Sequence, residues 1–360
     1  DESSADTADV LIFNTCSVSQ HAEDKVWSEI GRIAKIRRKQ RPVIGLIGCM
    51  AQNYGQEIFD KCSDVDFAVG PADIASIPGI VKKMISHRSS GNGKDLFGLK
   101  IWETDAQARP EHIYHTGYYQ DTAHAYVVIS EGCSNFCSYC VVPFARGALR
   151  HRSALDILAE IEQAAAKGIR RITLLGQNVN SYRSPEKYKG ADIDFTALLP
   201  IVNAMPGIDE IGFITSHPKD TTDALFKAMS SCSKVRKYLH LPVQSGSDNI
   251  LKAMNRGYTR QQYLGLVDSY LSRVKGGLLT TDIIVGFPGE TLDDFQATYD
   301  LVKLVEFDAA YIFKYSPRPH TAALQMEDDV PQKEKERRHA MILDLQKSIS
   351  KAKKKHCLFE

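Results

Sequence analysis

The apolar and polar positions of this chain change rhythm twice. Val10-Leu11-Ile12-Phe13 is a short apolar run ending in Asn14-Thr15-Cys16, and 22–39 then carries Val26, Ile30, Ile33 and Ile36 at helical spacing. The stretch 43–47 predicts a second strand, closed by Gly48-Cys49; Phe67-Ala68-Val69 and 74–85 predict one more strand and helix. Cys16 and Cys49 thus follow successive strands in equivalent positions, at the edge of an open parallel sheet where ligands collect. The periodicity then lapses, and 87–122, with Ser89-Ser90-Gly91-Asn92-Gly93, reads as a linker.

A second rhythm follows. Strands are expected over 125–129, 171–175, 210–214, 237–241, 278–285 and 309–313, with helical stretches such as 154–166 and 291–305 between them. Six such units predict a parallel, barrel-like sheet over 123–325, open because six falls short of a closed eight. Polar clusters follow the strands: Glu131-Gly132-Cys133, Gly176-Gln177-Asn178, Ser216-His217, Gln244-Ser245, Gly286 and Tyr315-Ser316. Barrel enzymes keep their chemistry at that face. The region 326–360 holds a polar helix over 332–356, rich in lysine and arginine. It is either a solvated helix or an RNA-facing patch. The fold class is α/β, an N-terminal α/β domain over 1–86 followed by a partial (β/α)6 barrel.

Composition narrows the class. The 43 % hydrophobic and 25 % charged residues are an ordinary globular balance, and the formal charge of +1 excludes a uniformly basic nucleic-acid binder. No apolar run could cross a bilayer, and Asp1-Glu2-Ser3-Ser4 opens no signal peptide, so a cytoplasmic protein without a membrane partner is expected. The eight cysteines are Cys16, Cys49, Cys62, Cys133, Cys137, Cys140, Cys232 and Cys357. Crowding three of them into eight residues argues for metal or redox chemistry over a disulfide framework.

Cys133-x3-Cys137-x2-Cys140 directly follows a strand. Three thiolates on one loop can each bind one iron of a [4Fe–4S] cube, leaving the fourth iron open. A structural zinc site would want a fourth ligand nearby, and the spacing of His151 fits no usual zinc pattern. The amino and carboxylate groups of S-adenosylmethionine can chelate such an open iron. One electron then breaks a C–S bond to give a 5′-deoxyadenosyl radical, chemistry that the cofactors themselves carry.

This spacing after the first strand of a partial barrel resembles the radical SAM superfamily. Gly-Cys-Ser-Asn-Phe-Cys-Ser-Tyr-Cys-Val-Val-Pro-Phe (132–144), Leu-Gly-Gln-Asn-Val-Asn-Ser-Tyr (175–182) and Thr-Ser-His-Pro-Lys-Asp (215–220) resemble its methylthiotransferases. So do His-Leu-Pro-Val-Gln-Ser-Gly-Ser (240–247), Met-Asn-Arg-Gly-Tyr-Thr (254–259), Thr-Asp-Ile-Ile-Val-Gly-Phe-Pro-Gly-Glu (281–290) and Lys-Tyr-Ser-Pro-Arg-Pro (314–319). The resemblance makes 1–86 the methylthiotransferase domain. Asn14-Thr15-Cys16-Ser17-Val18 and Gly48-Cys49-Met50-Ala51-Gln52 are similar to two of three cysteine motifs that hold an auxiliary [4Fe–4S] cluster. The third is expected upstream of this chain. Cys62 is either a substitute ligand or a small apolar residue at a helix or loop. A small RNA-binding domain is expected after the basic helix. Three residues depart from the family pattern: Leu149 and His151 replace a Glu and a Ser, and His320 stands where a Gly is usual.

Gln177-Asn178-Val179-Asn180-Ser181-Tyr182 looks like the branch that methylthiolates N6-isopentenyladenosine in tRNA. The resemblance implies two [4Fe–4S] clusters, S-adenosylmethionine, a tRNA anticodon stem-loop as partner, an electron donor such as flavodoxin or ferredoxin, and a monomer. A protein-modifying branch, another tRNA adenosine, and a non-catalytic iron–sulfur RNA-binding module are the alternatives. Beside the cluster cysteines, backbone groups of Tyr139 and Val141 are expected to meet the methionine amino group. Gln177, Ser216 and Gln244 end strands, where they either bind the methionyl or ribose parts or cap an element. Arg256 is the candidate for the methionine carboxylate, because arginine binds carboxylates bidentately. Gly286 either lets adenine approach the backbone or shapes a turn. If the substrate is tRNA, Lys333, Lys335, Arg337, Arg338, Lys347, Lys351, Lys353, Lys354 and Lys355 are expected to meet phosphates.

Overall fold

The structure, a computed structural model, describes residues 7–17, 20–36, 41–90, 99–105 and 123–356. Val18, Cys357, most of the expected linker and the side chains of Lys354 and Lys355 lie outside what is described. The chain divides into two compact units. One takes Asp1–Thr116 with Cys140–Gly147 and Arg318–His320; the other takes Gly117–Tyr139, Ala148–Pro317 and Thr321–Glu360.

The first unit is built on a parallel sheet of β1 (Val10–Thr15), β2 (Val43–Gly48), β3 (Phe67–Val69) and β4 (Ile101–Glu103), in that order. Helices cover both faces, which is why β2 reads as a nearly unbroken apolar run. On one face Ile44, Leu46 and Ala68 pack with Ile30 and Ile33 of the helix Gln20–Ile36 and with Met50 and Ile58. On the other, Val43, Phe67 and Val69 pack with Ile80 and Met84 of the helix Ile77–Ser90. Cys62 caps the short helix Glu57–Lys61 and packs against the first cluster.

In the second unit, β5 (His124–Val128), β8 (Arg171–Leu175) and β9 (Glu210–Phe213) form one parallel ladder. A second joins β10 (Tyr238–His240), β11 (Leu278–Val285) and β12 (Ala309–Lys314). The ladders are stitched where Ile211 N donates to Lys234 O at 2.8 Å and Arg236 N donates to Ile211 O at 2.9 Å. The six strands keep their expected order, though the ladder breaks between the third and fourth. Helices start at real caps: the Thr259 hydroxyl accepts from Gln262 N and that of Thr291 from Asp294 N, both as capping boxes. One feature was not foreseen, a two-stranded antiparallel pair of β6 (Ser130–Glu131) and β7 (Arg150–His151) flanking the cysteine loop. Two-residue strands carry no periodicity to read.

The helix Gln332–His356 docks one face on the barrel, which takes two of the cations expected at phosphates out of the exposed set. Ile342 and Ile349 belong to the barrel core, Gln346 Nε2 donates to Phe307 O at 2.8 Å, and the buried positions 335, 338, 342, 346 and 349 recur at helical spacing. Two of the cations named for phosphates are buried: Lys335 binds Asp328, and Arg338 binds Glu290 at 2.6 Å and Glu334 at 2.8 Å. Arg337, Lys347 and Lys353 pair with Glu334, Asp344 and Asp308. Arg338→Met should therefore destabilise the fold by about 3–5 kcal/mol, because it strands the buried Glu290 carboxylate. A lower denaturant midpoint at unchanged m-value is the measurement, and adding Glu290→Leu should restore most of the loss.

Candidate functional site

Residues 132–138 of the cysteine loop are pinned from several segments of the second unit: a strand end, a helix end and two short helical turns. Gly132 N donates to Gln177 Oε1 at 2.7 Å, and Ser138 donates through its N to Met254 O at 3.0 Å and through its Oγ to Ala253 O at 2.7 Å. Ala323 N donates to Ser138 O at 2.7 Å. Asn255 Nδ2 reaches Phe136 O at 3.0 Å, and Lys219 Nζ reaches Asn135 Oδ1 at 2.6 Å. Phe136 is held at φ 47°, a left-handed conformation that the bonds on either side impose. Cys137 is buried, whereas Cys133 and Cys140 are partly exposed. Burial raises the pKa of the Cys133 thiol. Among the described residues, no three His, Cys, Asp or Glu side chains converge on a point suited to a single metal ion. A four-iron cube makes a different demand, one thiolate at each of three irons.

Cys137 has the most structured surroundings. Arg256, 4 % exposed, places Nη1 3.3 Å from its Sγ. The same guanidinium donates to Pro242 O at 2.9 Å, to Tyr258 Oη at 3.0 Å and to Tyr139 Oη at 3.3 Å. His217 Nε2 lies 3.9 Å from Cys137 Sγ on another side, while its Nδ1 accepts from Lys219 N at 3.1 Å. Burial, with Arg256 and Lys219 nearby, drives the His217 pKa down to about 2, so its imidazole is neutral.

The structure sorts the expected S-adenosylmethionine contacts into two groups. Ser216 Oγ and Gln244 Oε1 are buried and find no hydrogen-bond partner among the described residues, and Ser130 Oγ and Asn178 Oδ1 share that state. Gln244 is also held at φ 68°. Orphaned polar atoms at a ring of strand ends are costly unless a polar ligand meets them. In the second group, protein atoms already engage the groups in question. Gln177 holds Gly132, and Val141 O accepts from Phe144 N and Ala145 N in the helix Val142–Arg146; at Tyr139 it is the phenol, not the expected backbone group, that accepts from Arg256. The guanidinium of Arg256, expected at the methionine carboxylate, bonds to protein through each of its nitrogens. Gly286 sits at φ 67°, a Cβ there would collide with the Lys335 stem, and its N donates to Glu290 Oε1 at 2.9 Å. Those facts call for glycine here on backbone grounds alone.

In the first unit, Thr15 pairs with Gly48, so Cys16 and Cys49 leave neighbouring strand ends at the same level. Gly48 has φ 93° and no room for a Cβ against Thr15 O, which explains a glycine immediately before Cys49. Arg146 Nε donates to Cys49 Sγ at 3.4 Å. Ser17 Oγ and both polar atoms of the Asn53 side chain are buried without partners among the described residues. His320 adopts φ 65°, which explains why glycine suits this position; its ring packs 6.0 Å from that of Phe144. Sequence reasoning did not single out His217, Tyr258 or Arg146. The available signal was position: His217 stands beside Ser216 at a strand end, and Tyr258 lies in the stretch 254–259 that also holds Arg256.

Comparison with known proteins places these features in context. The Radical SAM superfamily profile matches residues 127–302, and that of Uncharacterized protein family UPF0004 matches 1–70. A tRNA-2-methylthio-N(6)-dimethylallyladenosine synthase from Carboxydothermus hydrogenoformans is 42 % identical over 347 residues, covering 96 % of this chain and 76 % of that protein. Another of the same name from Neisseria meningitidis is 40 % identical over 335 residues, covering 93 % and 73 %. Among solved structures, the radical S-adenosylmethionine methyltransferase TsrM from Kitasatospora setae aligns with a TM-score of 0.61 at 16 % identity, over 87 % of this chain and 63 % of that one. The cobalamin-dependent radical enzyme OxsB aligns with a TM-score of 0.51 at 13 % identity, over 97 % and 49 %. At such identities these two structures speak to the fold alone.

Proposed function

Because this chain belongs to the radical SAM methylthiotransferases, in the branch of the tRNA-2-methylthio-N(6)-dimethylallyladenosine synthases, we propose that it adds a methylthio group to C2 of N6-isopentenyladenosine beside the anticodon of tRNA. Identity of 40–42 % sustained over nearly the whole chain carries this reading. The family uses a [4Fe–4S] cluster and S-adenosylmethionine, and the residues present fit both. Cys133, Cys137 and Cys140 would hold the cluster, and the unpartnered Ser216 Oγ and Gln244 Oε1 would meet S-adenosylmethionine. When bound, these cofactors supply a carbon radical. The chain's own part is to fix the thiolates, through the bonds on Ser138 and Asn135, and to keep water from Cys137 by burial. In the first unit, Cys16 and Cys49 would hold a second cluster, Arg146 placing positive charge at Cys49. Residues 1–86 would form the methylthiotransferase domain and 123–325 the catalytic barrel. The described residues contain no helix long and apolar enough to cross a membrane. A reduced flavodoxin or ferredoxin would supply electrons to a monomeric, cytoplasmic enzyme.

Substrate choice is tested with the complete enzyme on anticodon stem-loops carrying or lacking the isopentenyl group, and on a ribosomal-protein peptide. The adenine must leave its stack to reach a buried radical. A pocket fitted to a five-carbon apolar group should then favour the modified loop by roughly 100-fold or more. Methylthiolation of the peptide but not of the modified loop would assign the enzyme to the protein-modifying branch instead.

A further inference from the structure

The three cysteines of the loop are not equivalent. Two side-chain N–H donors from distant parts of the barrel converge on Cys137, Arg256 at 3.3 Å and His217 at 3.9 Å. The tautomer of His217 follows from geometry. Its Nδ1 accepts the Lys219 N–H, so the ring proton resides on Nε2, the nitrogen that faces the sulfur. Both donors are themselves fixed. Arg256 is held by Pro242 O and by Tyr258, whose hydroxyl donates to Val243 O at 2.8 Å, and the His217 ring lies edge-on to Tyr258 at 5.9 Å. Neither donor is free to turn away from the sulfur without breaking a buried bond.

We propose that His217 and Arg256 are positioning residues that set the reduction potential of the cluster through N–H···S bonds to Cys137. The inference rests on the reading that Cys133, Cys137 and Cys140 hold that cluster. Electron entry adds negative charge to the cluster and its thiolates, and a donor aimed at a thiolate stabilises the reduced form more than the oxidised one. Hydrogen bonds to cluster sulfurs, net charge and burial are the levers by which proteins tune these potentials. Arg256 combines all three, since it brings a full positive charge into a buried site. The neutral His217 contributes a dipole only. The pairing also accounts for the guanidinium's engagement with protein atoms, which leaves methionine binding to other groups.

The test is a potentiometric titration of the complete protein, reconstituted anaerobically. It follows the electron paramagnetic resonance signal that changes on adding S-adenosylmethionine, with every variant made in a Cys49→Ala background so that the barrel cluster alone gives the signal. His217→Phe should lower the reduced-to-oxidised ratio at a fixed potential about tenfold, a shift of about 59 mV to more negative values for one electron. Arg256→Met should lower it further, and His217→Gln, which keeps an N–H at a similar reach, should return most of the shift. Unchanged midpoints in both His217→Phe and Arg256→Met, with iron content intact, would overturn the proposal. Should either variant fail to hold iron, the unaltered protein decides. Labelled with nitrogen-15 histidine or arginine, its reduced cluster should show weak nitrogen couplings from both side chains, and their absence would overturn the proposal. A Cys137→Ala protein that retains the responsive signal would overturn the cluster reading beneath it.

Discussion

Replacing Cys137 by alanine is expected to abolish reductive cleavage of S-adenosylmethionine. Of the three thiols on the loop, Cys137 is the buried one, and Arg256 and His217 both approach its sulfur. The neighbouring Ser138 is bonded on either side, to Met254 and Ala253 and from Ala323, so the backbone cannot move another donor into the vacated corner. Loss of an outer partner of a metal ligand typically costs 10–100-fold, so loss of the ligand itself should cost at least about 100-fold in 5′-deoxyadenosine formed under dithionite. Iron should fall by about four per chain if the cube is lost outright. Normal 5′-deoxyadenosine production by the variant would remove the triplet from the chemistry, leaving the alternative of a non-catalytic RNA-binding module.

Much of the architecture behind this expectation was legible in the amino-acid order. Buried parallel strands read as short apolar runs, and each of the six barrel strands lies within about a residue of its expected span. The helix Gln332–His356 matches its expected limits, its start falling directly after Pro331. Its role did not follow from composition. Lysine and arginine counts do not tell which cations stay exposed and which, like Arg338, face a buried partner such as Glu290, 48 residues earlier in sequence. Pairing across such distances leaves no local mark.

The site divides along the same line. The cysteines and the polar residues closing each strand are local signals, and they were readable. Which of those polar residues remain unpartnered is not local. Gln177 and Ser216 end adjacent strands and read alike, yet Gln177 holds Gly132 while Ser216 Oγ has no partner among the described residues. The convergence of His217 on Cys137 spans 80 positions and depends on the closure of the barrel sheet. Backbone strain is equally silent: the left-handed φ of His320 explains the usual glycine, but no property of histidine announces it.

Cys49→Ala should separate the two halves of the reaction in the complete protein. Cys49 lies in the first unit, at the strand end that Thr15–Gly48 pairing sets beside Cys16, and Arg146 donates to its sulfur. Arg256, His217 and the bonds on Ser138 all belong to the second unit and do not depend on this thiol. Cleavage of S-adenosylmethionine should therefore continue. Transfer of methylthio to the modified stem-loop should stop, because the second cluster is where the sulfur would be assembled. Iron should fall from about eight to about four per chain, one cube fewer. The substitution itself is mild, since Cys49 opens a short helix beside Gly48 and alanine suits a helical position at least as well. A stability deficit is thus a weak explanation for any loss of product. Mass spectrometry of the stem-loop gives the decisive measurement. Undiminished methylthiolated product would make Cys16 and Cys49 structural thiols and leave the barrel cluster to do the sulfur chemistry alone. Loss of 5′-deoxyadenosine together with methylthiolation would instead mean that the two clusters stand or fall as one assembly.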